Sequence, residues 1–144
     1  MASLLLFSLA ALSCATATGP CSLLTPADLG QTPAEMGANG TDCFYRLEPF
    51  ADSVSLSAVP HARGVWSRME KKDEAKGEEK EESHVREVEG VGDHALWSTL
   101  PVGSTLYVLK GETMLRISVG GKMDDAARLE KSIRLARAAL RRLP

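Results

Sequence analysis

The stretch TLYVLKGETMLRISV, residues 105–119, carries the reading of the fold. Residues 105–109 and 113–119 read as two strands, and in the second Leu115, Ile117 and Val119 share one face, which is the mark of a sheet with one buried side. Between them Lys110-Gly111-Glu112 fits a short hairpin turn. Asp124 and Asp125 then open a helix in which Leu129, Ile133, Ala136 and Leu140 form an apolar stripe. Acids at its start and Arg141-Arg142 at its end both complement the helix dipole. A hairpin followed by an amphipathic helix predicts an α+β domain, with a sheet on one side and a helix packed against it.

Working upstream, residues 43–47 and 53–59 read as two more strands. In the second, Val54, Leu56 and Ala58 alternate with serines. Glu48-Pro49-Phe50-Ala51-Asp52 turns the chain between them, so an antiparallel hairpin is expected. Thr25-Pro26-Ala27-Asp28-Leu29 reads as a helix start, with Thr25 as cap and Pro26 in the first helical position. Gly30 or Thr32-Pro33 should end that helix early, and Gly37-Ala38-Asn39-Gly40 is a turn cluster. A fifth strand follows Gly90-Val91-Gly92-Asp93, where Ala95 and Trp97 alternate. The expected order is therefore α-β-β-α-β-β-β-α, with an antiparallel sheet of about five strands.

Residues 68–89 differ from everything around them: six basic and nine acidic side chains, and almost nothing apolar after Met69. Lys72, Lys76 and Lys80 recur every four residues beside Glu70, Glu74, Glu78 and Glu82, so i,i+4 contacts on a helix would repel. The expectation is an exposed, fraying helix or a partly disordered insert over 68–87, with Val65, Trp66 and Met69 anchoring its first turn; a docking surface for a charged partner is the other reading.

The N-terminal run SLLLFSLAALS, residues 3–13, has the length of a signal-peptide apolar core and is too short to span a bilayer. Ala15-Thr16-Ala17 supplies a cleavage pattern, so residues 1–17 read as an export signal and 18–144 as one domain. Leu12-Ser13 before Cys14 also allows a lipoprotein reading with Cys14 acylated. Either route leaves two of the three cysteines, Cys21 and Cys43, to pair in a compartment where disulfides persist, the alternative being two unrelated buried thiols. The expected location is exported: periplasmic, cell-envelope or extracellular, with a possible lipid anchor.

Little in the chain announces chemistry. His61, His84 and His94 have no regular spacing, no Gly-x-Ser-x-Gly elbow occurs, and no Cys or His stands at metal-ligand spacing from Cys21 or Cys43. No cofactor, metal or catalytic residue can be assigned. The net charge of −2 and 5% aromatic content point away from nucleic acid. Gly90, Gly92 and Asp93 read as a turn allowing positive φ, with Asp93 bonding nearby amides. Trp66 and Trp97 read as core or pocket wall. The last helix carries Arg128, Lys131, Arg134, Arg137, Arg141 and Arg142 against three acids, and residues 93–144 carry net +4 while 18–92 carry −6. That basic face could lie weakly against anionic lipid or another acidic surface, or be a solvated face with Glu130 paired to Arg134. Asn39-Gly40-Thr41 is a glycosylation sequon by pattern.

Two segments resemble a known group. One is Cys21-Ser22-Leu23-Leu24-Thr25-Pro26-Ala27-Asp28-Leu29, with the second cysteine in Cys43-Phe44-Tyr45. The other is Gly90-Val91-Gly92-Asp93-His94-Ala95-Leu96-Trp97, followed by Leu106-Tyr107-Val108-Leu109-Lys110-Gly111. Together they resemble small bacterial secreted proteins and lipoproteins of unassigned function, with related features in mycobacterial envelope lipoproteins and kinase sensor domains. The resemblance implies a fold like that of the photosystem accessory protein PsbP, an antiparallel sheet between helices, and a bridge between Cys21 and Cys43. It brings no functional residues with it. The charged run at 68–89 departs from the group's pattern. The resulting expectation is a non-catalytic exported domain that binds an envelope protein or a small ligand. A hydrolase with a cryptic site and an envelope assembly scaffold are the alternatives from other classes.

Overall fold

The computed structural model describes residues 19–75, 84–100 and 103–144. The expected export segment with Cys14, and residues 76–83 of the charged run, lie outside the described residues. The chain is α+β. It opens with a 3-10 turn at Gly19–Leu23 and continues through α1 (Pro26–Leu29), β1 (Glu35–Asn39), β2 (Asp42–Arg46), β3 (Val54–Val59) and α2 (Arg63–Ala75). It then runs through β4 (His84–Glu87), β5 (His94–Leu100), β6 (Gly103–Lys110), β7 (Thr113–Val119) and α3 (Asp125–Leu140). All seven strands join one antiparallel sheet in the order β1-β2-β3-β7-β6-β5-β4.

The decisive hairpin forms as expected, with Leu106 opposite Ile117 and Val108 opposite Leu115. The strand over 113–119 has the bounds that its alternation dictates. β2 and β3 pair antiparallel across the 48–52 turn. Thr25 caps α1 in a reciprocal capping box with Asp28, and Gly30 ends the helix in the left-handed region at φ 76°.

The strand count is seven rather than about five. The two additions are the sheet's edges, and both hide from a periodicity reading for the same reason. Every residue of β1 is exposed, and β4 has three exposed residues and one half-buried, so neither alternates. The Gly37–Gly40 cluster does mark a turn, but the turn is Gly40-Thr41, with Asn39 opposite Asp42. The residues before it form strand. The charged run divides: its first part, through Ala75, completes α2, and its last four residues before Val88 are β4.

Two cores lie on opposite faces of the sheet. On the first, Tyr45, Leu56, Trp97, Leu106, Val108, Leu115 and Ile117 pack against α3 and against the N-terminal segment containing Cys21, Leu23, Leu24 and Leu29. On the second, Leu96, Leu109 and Met114 pack against Ala62 and Trp66. The buried stripe of α3 is Ser132, Leu135, Ala136, Ala138 and Ala139, whereas the expected Leu129, Ile133 and Leu140 are only half-buried. Small side chains bring the helix axis close to the sheet, so alanines and a serine occupy the contact and the larger residues flank it. Ser132 is tolerated there because its hydroxyl donates to Arg128 O at 2.8 Å.

Candidate functional site

The Cys21–Cys43 disulfide is present. It ties the N-terminal 3-10 turn to the middle of β2, and a loop of this length contributes about 3 kcal/mol by constraining the unfolded chain. Tyr45, two residues on along the same face, is fully buried, and its hydroxyl donates to Cys21 O at 3.1 Å. Burial pushes the Tyr45 phenol up to about 12. Arg142, just past α3, donates to Leu23 O at 3.0 Å and to Asp28 Oδ2 at 2.7 Å. Burial alone would raise the Asp28 carboxyl. The Thr25 amide and hydroxyl and the Arg142 guanidinium together hold it below the ordinary carboxylate range. The 3-10 turn and α1 are thus fastened to the residues just past α3 over the first core.

Four of the five residues singled out as turn or pocket candidates meet in one place. Trp66 from α2 and Gly90, Gly92 and Asp93 from the loop before β5 line a cleft of about 280 Å³, together with Glu70, Glu87 and His94. Trp97 is elsewhere: it points to the opposite face, in the first core, where its indole N–H donates to Asp125 Oδ1 at 3.1 Å. Strand alternation dictates this split, because Trp97 follows Leu96, which faces Trp66. Gly92 sits at φ +59°, and a Cβ there would stand 2.5 Å from Val108 Cγ1 and 2.7 Å from Leu109 O. Only glycine allows this approach of loop to strand.

The Trp66, Glu70 and Asp93 side chains of that cleft are engaged with the protein itself. The Trp66 indole N–H donates to Glu70 Oε1 at 2.7 Å. Asp93 accepts from the Gly111 amide at 2.7 Å and lies 3.7 Å from Lys110 Nζ. The Gly111 N–H and the Lys110 charge hold the Asp93 carboxyl below its ordinary range despite some opposing desolvation. The bond reaches the β6–β7 turn rather than the local amides expected from the sequence, so Asp93 locks two loops together.

A larger concavity, about 1070 Å³ and broadly open, runs along α3 between Ala27 and Asp28 of α1 and Arg86 of β4. Its floor includes the half-buried Leu129 and Ile133. Around them stand five cations (Arg86, Lys131, Arg134, Arg137 and Arg141) against two carboxylates, Asp28 and Glu130. Arg134 does not simply pair with Glu130 as expected: its Nη1 donates to Asp28 O at 2.9 Å. Arg137 likewise donates to Gly90 O at 3.2 Å, and Arg86 lies 3.7 Å from Asp125. The two carbonyl contacts brace the walls of the cleft without cancelling charge, since a carbonyl carries none, whereas the Arg86–Asp125 ion pair offsets one of the five cations. The basic stripe of the last helix was the signal for this surface. Its partners on α1 and β4 were not readable.

Among the described residues no group of three or more His, Cys, Asp and Glu side chains could hold a metal ion, and no helix is long and apolar enough to cross a membrane. No family model, curated protein or solved structure matches this chain.

Proposed function

We propose that this chain is an exported, non-catalytic binding domain of the cell envelope, and that it docks an acidic amphipathic segment of a partner protein along α3. The observation that carries the reading is the cleft in which five cations ring Leu129 and Ile133. Apolar side chains on the partner would fill the floor, and carboxylates would meet the arginines, whose planar guanidinium groups suit them. A concave surface favours a polypeptide over the flat surface of a bilayer. Export is supported by the Cys21–Cys43 bridge, which persists in oxidising compartments. A sheet held between helices, as the resemblance to PsbP implies, belongs to the same reading, as does either fate of Cys14.

The test uses the oxidised full chain, a fluorescent helical peptide bearing glutamates along one side and leucines along the other, and vesicles rich in phosphatidylglycerol. Lys131 and Arg141 suit substitution because their side chains make no hydrogen bond among the described residues. The peptide should bind, weaken as salt rises, and lose roughly tenfold or more in affinity for the Lys131→Glu/Arg141→Glu variant. Binding of vesicles without peptide would replace the partner protein with a lipid surface, and binding of neither would end the reading. Intact mass of the chain recovered from a bacterial envelope fraction, before and after reduction, tests export with the bridge formed.

A further inference from the structure

Among the described residues, the second face of the sheet is only half covered. Around β5, β6 and the start of β7 it carries Leu96, Leu109 and Met114 under Trp66. Beyond them the composition changes abruptly. Strand register lays one row of side chains across five strands, Asn39, Asp42, Ser57, Arg116 and Tyr107. A second row beside it runs Gly37, Phe44, Ser55 and Ser118, with the Thr105 hydroxyl against that of Ser118. These two rows line a concavity of about 440 Å³, within the span of small-molecule sites, roughly 300–1,000 Å³. It lies on the opposite side of the sheet from α3.

Arg116 is the central group. It is exposed on β7, the middle strand of seven. The other two strand arginines each have a carboxylate within ion-pair distance, Glu35 for Arg46 and Asp125 for Arg86. Arg116 has none among the described residues. Instead its Nη2 donates to Ser57 Oγ at 3.3 Å, and the Ser57 hydroxyl donates in turn to Asp42 Oδ1 at 2.5 Å. One hydroxyl therefore stands between cation and carboxylate, aims both, and leaves the guanidinium free to take an external anion. Next to it, Thr105 Oγ1 and Ser118 Oγ lie 2.9 Å apart, and the Ser55 hydroxyl is exposed. Phe44 on β2 and Tyr107 on β6 are the aromatic side chains of this floor.

We infer that this half-face is a binding site for a hydroxyl-rich ligand bearing one carboxylate or phosphate group, by class an acidic sugar. Arg116 takes the anion, for which its fork of donors is suited. The serine and threonine hydroxyls, each both donor and acceptor, exchange hydrogen bonds with ligand hydroxyls, and Asp42 accepts from one of them. Phe44 and Tyr107 supply apolar surface for the C–H faces of a ring.

The experiment is calorimetric titration of the oxidised full chain with glucuronate, glucose 6-phosphate, glucose, inorganic phosphate and glycine, each to millimolar concentration. Glucuronate, glucose 6-phosphate or both should bind, each more tightly than glucose or phosphate; which of the two binds identifies carboxylate or phosphate as the anion. Arg116→Gln should weaken that binding roughly tenfold or more, Arg116→Lys should restore part of it, and Ser55→Ala should weaken it a few-fold. A thermal melt of each variant establishes that it remains folded. The inference is overturned if neither acidic sugar binds, if glucose or phosphate binds as tightly as the acidic sugar that does, if glycine binds in preference to both, or if folded Arg116→Gln binds like the parent. None of these outcomes depends on the α3 cleft.

Discussion

The same strands build both faces of the sheet, yet the two faces are constructed on opposite terms. On β7, Leu115 and Ile117 are fully buried beneath α3, while Arg116, between them in sequence, is exposed on the other side. The first face is closed by a long helix, by the N-terminal segment and by a covalent bridge. Among the described residues, the second is closed only where α2, with Trp66, reaches it. The difference teaches that, among the described residues, one side of the sheet is sealed for stability while half of the other is left uncovered, which is where we propose recognition takes place.

The strongest way to break that comparison is to truncate neighbouring residues on β7. Leu115→Ala should cost about 2–5 kcal/mol, whereas Arg116→Gln should stay within about 0.5 kcal/mol of the parent. Urea unfolding of both variants measures this, and equal losses would mean that the second face is as structural as the first. Next comes the bridge: a Cys21→Ser/Cys43→Ser variant should lose about 3 kcal/mol in the same assay. Such a loss would show how far closure of the first face relies on the covalent tie.

A smaller effect comes from Tyr45. Its phenol ionises near pH 10 in the unfolded chain and is pushed up to about 12 in the fold. The unfolded state therefore releases the proton first as pH rises. Stability is fully present below pH 10 and is lost on going up through the folded value, on the order of 2–3 kcal/mol for a shift of this size. Tyr45→Phe should lack that alkaline decline, which unfolding curves collected across the window would reveal as a difference from the parent. The smallest effect is at Asp28, whose carboxyl is held below its ordinary 3.8. Its contribution is present above that value and lost as pH falls through the lowered one. Asp28→Asn should cost about 1 kcal/mol at neutral pH, and the gap to the parent should close in acid.

What could be read in advance follows from how strongly each segment alternates. The 113–119 strand and the hairpin around Gly111 were legible because one face is sealed, and sealing writes a period of two into the sequence. The edge strands β1 and β4 bury too little to leave such a trace. In α3 the apolar pattern pointed to Leu129, Ile133, Ala136 and Leu140, of which Ala136 is fully buried and the three larger side chains only flank the contact. The true contact is made by Leu135, alanines and Ser132, where closeness of approach matters more than bulk. The candidate site was legible in pieces. Trp66, Gly90, Gly92 and Asp93 do converge, but their polar groups serve the fold. The surfaces offered here for binding depend on residues far apart in the chain.

The sequence by itself determined the α+β class, the paired cysteines, the capped short helix and the central hairpin, since each rests on local conformational preference, on alternation or on residue arithmetic. Only the tertiary structure decided that Trp66 and Trp97 serve different cores, that the arginines of α3 stand with Arg86 around a cleft, and that Arg116, Ser57 and Asp42 form one polar row. Those are consequences of strand order and register. Pairing across a sheet joins residues that lie dozens of positions apart, and no local pattern encodes which strand becomes whose neighbour.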